Sequence, residues 1–287
     1  MHETYAKSIL SQKNGINVYR GCTHGCIYCD SRSEVYGMPH AFDDVEVKIN
    51  APELLKSALN RRKSPCMVGM GSMSDPYNPI EAELRLTRKT LEAVYDCRCG
   101  ITLITKSARV LDDLDLLSKI NARSKCVIQM TVTTADDELC RKIEPNVSVT
   151  SERAEALYRL KEAGIPTVVW FCPILPFIND TEENTRGVLD ICEKASVKGV
   201  VYFGAGLTLR DGNREYFYKQ LDLSFPSLKE KYIKTYGKRY VVSSPDAARL
   251  DELFYSLCKK NGIMCDNGRI FAYLSEYEGY GKQLSVF

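Results

Sequence analysis

The chain has 287 residues, 44% of them hydrophobic and 26% charged, with a formal net charge of +2. That length suffices for one barrel-sized domain or two smaller ones, and the near-neutral charge gives no bulk electrostatic case for nucleic acid. The longest apolar stretch, 168–178, is short of a membrane span and interrupted by Pro173 and Pro176, and the N-terminal residues lack the order of a signal peptide, so a cytoplasmic protein is expected.

In chain order, a β-like run over 16–20 leads into Arg20-Gly-Cys-Thr-His-Gly-Cys-Ile-Tyr-Cys-Asp30, which sets Cys22, Cys26 and Cys29 at C-x3-C-x2-C spacing. A helical pattern over 52–62 follows, with Pro52 suited to a first turn, then a strand over 66–69 and the polar segment Gly71-Ser-Met-Ser-Asp75. Helix 81–95, strand 101–105 and the pair Lys106-Ser107 come next. After helix 111–121, strand 127–133 ends in threonines, and period-two alternation puts Thr131 and Thr133 on one face. Helix 151–163 stops at Gly164, a suitable C-terminal cap. Strand 167–171 runs into Cys172 and Pro173-Ile-Leu-Pro-Phe-Ile-Asn-Asp180, where Asp180-Thr-Glu-Glu183 has a capping-box arrangement opening helix 181–195. A sixth strand over 199–203 precedes the polar stretch 204–211. Beyond it, helical segments over 213–236 and 245–261 lead to a tail carrying Tyr273, Tyr277 and Tyr280.

Continuous apolar strands alternating with helices argue for a parallel sheet covered by helices. The expected fold is therefore α/β, an incomplete (β/α)6 TIM-like barrel of parallel strands over residues 1–212. Residues 213–287 form a C-terminal helical cap packed on it. A doubly wound open sheet has the same local pattern. In either fold the ends of the strands gather function, and polar residues recur at that position in all six units.

Three thiols on one short loop can hold a metal centre while leaving a coordination position open. A zinc site completed by His24 is the alternative, but His24 lies between two of the cysteines and no second cysteine knuckle follows. The nine other cysteines read as small buried hydrophobes or free thiols of a reducing compartment.

The loop resembles the cluster-binding loop of the radical S-adenosylmethionine superfamily. Gly69-Met-Gly-Ser-Met-Ser-Asp-Pro-Tyr-Asn-Pro79, Leu103-Ile-Thr-Lys-Ser107, Gln129-Met-Thr-Val-Thr-Thr134 and Leu207-Thr-Leu-Arg-Asp211 are similar to its spore-photoproduct-lyase-like branch. The resemblance implies a [4Fe–4S] cluster on Cys22, Cys26 and Cys29, with S-adenosylmethionine chelating the fourth iron. It implies reductive cleavage to a 5′-deoxyadenosyl radical that abstracts hydrogen from a substrate. An external one-electron reductant of flavodoxin or ferredoxin type would supply the electron. Ser72, Ser74, Asp75, Lys106, Ser107, Thr131 and Thr133 are the implied cosubstrate contacts, with Lys106 facing the carboxylate. In that branch a cysteine hydrogen donor precedes the Ser-Asp pair and a tyrosine follows the third cluster cysteine. Ser72 and Asp30 stand there instead, which leaves Cys172 as the substitute donor. Nucleic acid is one substrate reading, with Arg20, Arg32, Arg210 and Arg214 as a phosphate-binding rim or as partners of Asp30 and Asp211. A peptide or small metabolite is another. A non-catalytic iron–sulfur or metal-binding protein is the third.

Overall fold

The protein is described by a computed structural model, which covers residues 1–279; Tyr280 lies outside the described residues. Its centre is a six-stranded sheet of Gly15–Ile16, Met67–Met70, Gly100–Thr105, Cys126–Thr131, Thr167–Trp170 and Gly199–Val201. Each strand pairs in parallel with the next in the chain, with registers such as Gly69↔Thr102, Leu103↔Ile128 and Val168↔Gly199. Spatial order equal to chain order is the barrel pattern; a doubly wound sheet reverses its order in the middle. The first and last strands do not pair, so the barrel is open on one side.

Alternation along the strands separates two faces. Ile128, Met130, Val169 and Val200 pack outward into the main core with Leu117, Leu157 and Leu189 of the flanking helices. Val127, Val168 and Val201 face inward and are covered by Ile270 and Leu274 of the helix Asn267–Ser275. Burying such aliphatic side chains contributes about 1.5–3 kcal/mol each. The neighbouring helix Ala247–Lys260 places Leu250, Phe254 and Cys258 in the main core. Met264 bridges Gly199 in parallel at the edge of the sixth strand. Residues beyond 212 thus share the barrel's core at both faces.

Several elements depart from the sequence expectation, each for a local reason. The run over 16–20 is two strands in two sheets: Tyr19–Arg20 pairs with Glu46–Lys48, which also pairs with His2–Thr4. The switch occurs at Asn17, whose side-chain oxygen accepts from Met73 N at 3.0 Å instead of continuing the barrel ladder. Helix 81–95 is broken at Arg85 (φ +47°), because the buried Glu81 carboxylate turns back to accept from Leu86 N and Thr87 N at 3.1 and 2.8 Å. The 213–236 helix is likewise interrupted, as Asn213–Ser224 and Leu228–Tyr236, with Pro226 and left-handed Ser227 between them. At the start of Glu182–Lys194 the cap is Thr181, which accepts from Asn184 N, while Asp180 instead accepts from Ser244. Among the described residues no helix is long and apolar enough to cross a membrane.

Candidate active site

The cysteine loop crosses the end of the barrel at which the strands finish, and backbone contacts hold it. Cys22 N donates to Phe42 O at 3.1 Å, Ile27 N to Ile143 O at 3.0 Å, and Asn146 N to His24 O at 3.1 Å. Gly21 is required here: its φ is +88°, and a Cβ would lie 2.4 Å from the Phe42 carbonyl oxygen. Gly71 plays the same part on the facing loop, where φ is +95° and a Cβ would meet Ile104 O at 2.4 Å. Both loops can therefore approach their neighbours only as bare backbone.

Cys22 and Cys26 are buried and Cys29 is half-buried. Burial, reinforced by the Asp75 charge, pushes the Cys22 thiol up to about 12, and burial holds the Cys26 thiol well above its ordinary value. Thiols so raised favour a strong Lewis acid to draw off their protons. The three sulfurs do not all lie within 4.8 Å of one another. One zinc ion with bonds of about 2.3 Å would hold its sulfurs closer than roughly 4 Å. The donor set and its wider spacing fit a polynuclear iron–sulfur cluster. His24 does not complete a tetrahedron: its Nδ1 faces the Asp75 carboxylate at 3.4 Å, and burial lowers its pKa towards the neutral ring.

Asp75 joins three segments. Its carboxylate accepts from Thr105 Oγ1 at 2.7 Å, Lys106 N at 2.7 Å and Tyr77 N at 2.9 Å. Ser74 donates to Gly21 O and so pins the second-strand loop to the cysteine loop. These two residues set the relative position of the loops, and their polar atoms already have partners. Ser107 accepts from Arg109 N as the cap of the next helical turn, and Thr133 donates to Glu144 at 3.4 Å. Ser72 is exposed at the lip of a cavity of about 350 Å³ in the barrel interior, which Thr102, Gln129, Trp170 and Phe271 also line. Thr131 is buried on the inward-facing side.

Lys106 differs from these. No carboxylate lies within 4.0 Å of its ammonium among the described residues, although Tyr28 presents its ring at 5.9 Å. Burial works to lower its pKa, but Cys26, Glu144, Asp75 and Cys29 together raise it to about 12. The side chain is thus a retained cation beside the thiols. Cys172 shares this environment: burial pushes its thiol up to about 12, and Lys106 opposes the rise.

Sequence reasoning missed what lies beneath the loop. Glu144 and Arg153 form an ion pair with both side chains fully buried, and Tyr28, between the second and third cysteines, donates to Glu144. Arg153 also donates to Thr131 O at 2.8 Å and Ser148 O at 2.7 Å. Burial opposes ionisation of Glu144, but Arg153, Lys106 and Tyr28 hold its pKa below the usual value. A signal was available: Arg153 falls on the buried stripe Thr150, Leu157, Leu160 of the helix Thr150–Glu162, where a lone charge requires a partner.

Comparison with known proteins agrees with this geometry. The sequence profile of the Radical SAM superfamily matches residues 16–189, more than half of the chain. The chain belongs to the radical SAM superfamily. Its cofactors are accordingly a [4Fe–4S] cluster and S-adenosylmethionine. An uncharacterized protein of Methanocaldococcus jannaschii is 35% identical over 176 residues, 61% of this chain and 65% of that protein, so the match spans somewhat under two thirds of that relative. A radical SAM Nalpha-GlyT isomerase of Pseudomonas phage M6 is 24% identical over 61% of this chain and 35% of its own length. A spore photoproduct lyase mutant, solved with AdoMet and dinucleoside spore photoproduct, superposes with a TM-score of 0.60. It is 16% identical, covering 86% of this chain and 73% of that one, and establishes likeness of fold.

Proposed function

We propose that this radical SAM protein cleaves S-adenosylmethionine reductively and removes a hydrogen atom from a substrate that enters the open barrel. Cys22, Cys26 and Cys29 would hold the cluster, which when bound supplies the electron that breaks the carbon–sulfur bond. The observation that carries this reading is Lys106: a half-buried ammonium beside Cys26 and Cys29, with no carboxylate in contact among the described residues, suits the cosubstrate's carboxylate. Asp75 fixes the backbone from which Lys106 projects, and Ser74 fixes the cysteine loop against it. Ser72 and Thr131 face the interior as further cosubstrate contacts, with Ser107 and Thr133 supporting through the bonds they already make. The electron would come from a flavodoxin- or ferredoxin-type partner.

The substrate is not spore photoproduct in this reading. Ser72 stands where that chemistry needs a thiol, and an O–H bond is too strong to return hydrogen readily to a carbon radical. Asp30 stands in the tyrosine's place, and its carboxylate is engaged by Tyr36 at 2.7 Å and by Arg210 at 3.6 Å. Cys172, in the electrostatic reach of Lys106, is the proposed hydrogen donor. A peptide or small-metabolite substrate is favoured over nucleic acid by the arginines. Arg32 pairs with Asp43 and stacks on Tyr216 at 3.9 Å, Arg20 donates to Gly37 O at 2.9 Å, and Arg214 donates to Leu209 O at 2.7 Å.

The test is anaerobic reconstitution followed by dithionite and S-adenosylmethionine, with 5′-deoxyadenosine and methionine quantified by chromatography. Slow release of both is expected without substrate, and no repair of a spore-photoproduct dinucleotide above the no-enzyme control. Absence of 5′-deoxyadenosine with every reductant would favour a non-catalytic iron–sulfur protein.

A further inference from the structure

A second set of metal-binding groups lies apart from the cysteine loop, on the small sheet that precedes it. His2, His40 and Glu46 each offer a ligand atom, and the three atoms lie within 4.8 Å of one another. The two imidazoles meet edge to face with centroids 4.7 Å apart. His40 and Glu46 side chains are each 17% exposed and His2 is 39% exposed, so the cluster is shielded but reachable.

Hydrogen bonding fixes which nitrogens are free. His40 Nδ1 lies 3.0 Å from Ala41 O, a carbonyl that can only accept, so in the neutral ring the proton is on Nδ1 and Nε2 carries the lone pair. That Nε2 is buried and has no hydrogen-bond partner, and Glu46 approaches it at 3.7 Å. His2 Nδ1 lies 3.0 Å from the Asp44 carboxylate, which leaves His2 Nε2 as its free lone pair by the same reasoning. Thr4 Oγ1 donates to one Glu46 oxygen at 3.2 Å, but no hydrogen bond joins the carboxylate to His40 Nε2, so the neutral rings and the carboxylate bring like partial charges together. A divalent cation relieves this, and a carboxylate or carbonyl behind each histidine is the usual support of a metal-ligating ring.

We infer that His2, His40 and Glu46 form a binding site for a divalent transition-metal ion of the zinc class, with Asp44 orienting His2. Bonds of about 2.0–2.1 Å place tetrahedral ligands roughly 3.3–3.4 Å apart, so small side-chain movements close the site. The ligands come from three segments: the strand His2–Thr4, the loop before Phe42, and the strand Glu46–Lys48. Glu46 pairs across from Arg20, immediately before Gly21 and Cys22, and Phe42 O accepts from Cys22 N at 3.1 Å. A metal here braces the frame from which the cysteine loop departs. Binding requires no covalent or redox step and releases no proton from either neutral ring.

The full chain, tagged at its C-terminus and carrying its cluster, is equilibrated with Zn²⁺, freed of excess ion, and assayed for zinc and iron by mass spectrometry. About one zinc per chain is expected beyond the cluster iron. His40→Ala and Glu46→Gln lose that equivalent and keep the iron. The combined Cys22→Ala, Cys26→Ala and Cys29→Ala chain loses iron and keeps the zinc. Asp44→Ala, titrated against a chromophoric chelator, weakens zinc binding ten- to a hundredfold by releasing His2. His2→Gln, near the chain end, serves where a core variant fails to fold. Zinc that disappears with the three cysteines but not with His40 or Glu46 overturns the proposal, as does a chain that retains none.

Discussion

Two charged regions of this molecule invite comparison: the pocket beneath the cysteine loop and the arginines around its outer rim. At the rim each guanidinium meets a carboxylate, a carbonyl or an aromatic face, and Arg210 is flanked by both Asp30 and Tyr240. In the pocket Glu144 and Arg153 satisfy each other, but the half-buried Lys106 keeps its charge without a carboxylate in contact among the described residues. Exposed charges can be solvated whether or not they act, so their presence says little. A half-buried cation with no carboxylate in contact is free to take an anionic ligand. The contrast locates function by the charge that folding leaves unpaired.

The largest effect is expected at the cysteines. Alanine at Cys22, Cys26 or Cys29 should abolish cluster retention and with it cosubstrate cleavage, read as iron, sulfide and 5′-deoxyadenosine. Full iron and sulfide in the triple variant would break the pocket's side of the comparison outright.

Next is the ion pair under the loop. Arg153→Met strands the Glu144 carboxylate in the interior, and removing one partner of a buried pair costs about 3–5 kcal/mol. Denaturant unfolding should show a loss of that size. Cluster retention should fall as well, because Arg153 also holds Thr131 O and Glu144 receives Tyr28 from the loop itself. A loss under 1 kcal/mol would mean that this pair behaves like the surface pairs of the rim.

These two predictions draw on features that were not equally legible in the sequence. The cysteine loop is readable because its ligands fall within eight residues, so spacing alone reports their geometry. The strand rhythm is readable because most strand positions on both faces are apolar, Thr102, Gln129 and Thr131 being exceptions on the inward side. The Glu144–Arg153 pair joins a loop to a helix, and Asp75 joins the ends of two strands to the cysteine loop; such pairings exist only once the barrel has formed. The break at Arg85 was hidden for a related reason. Glu81 falls inside the helical pattern, yet its buried carboxylate prefers the free N–H groups of Leu86 and Thr87 in the following turn. The register switch at Asn17 leaves no trace in hydrophobic alternation, since Ile16 in one sheet, Tyr19 in the other and Val18 between the strands are all buried.

Lys106→Ala sharpens the comparison at intermediate size. A charge-assisted hydrogen bond contributes roughly 1.5–3 kcal/mol, about ten- to a hundredfold in affinity. S-adenosylmethionine binding measured by calorimetry should weaken by that factor while iron content stays unchanged. Equal affinity in the variant would move the carboxylate's partner to Ser107 or the neighbouring threonines.

The smallest effect is expected at the rim. Arg20 and Arg210 donate to atoms of the chain itself, Arg20 to Tyr36 O and Gly37 O and Arg210 to Tyr240 Oη. A phosphate would have to displace those bonds before gaining its own, so little net attraction should remain. Fluorescence anisotropy with a short single-stranded oligonucleotide, across a salt series, should therefore show weak binding. Arg20→Ala combined with Arg210→Ala should change that affinity less than about twofold, because neither charge contributes counterion release. If the double variant instead lost tenfold or more and its salt slope fell by about one for each charge removed, the rim would be a phosphate contact. The internal bonds would then be a resting arrangement that nucleic acid replaces, and the substrate reading would turn towards nucleic acid while the assignment of the pocket stood.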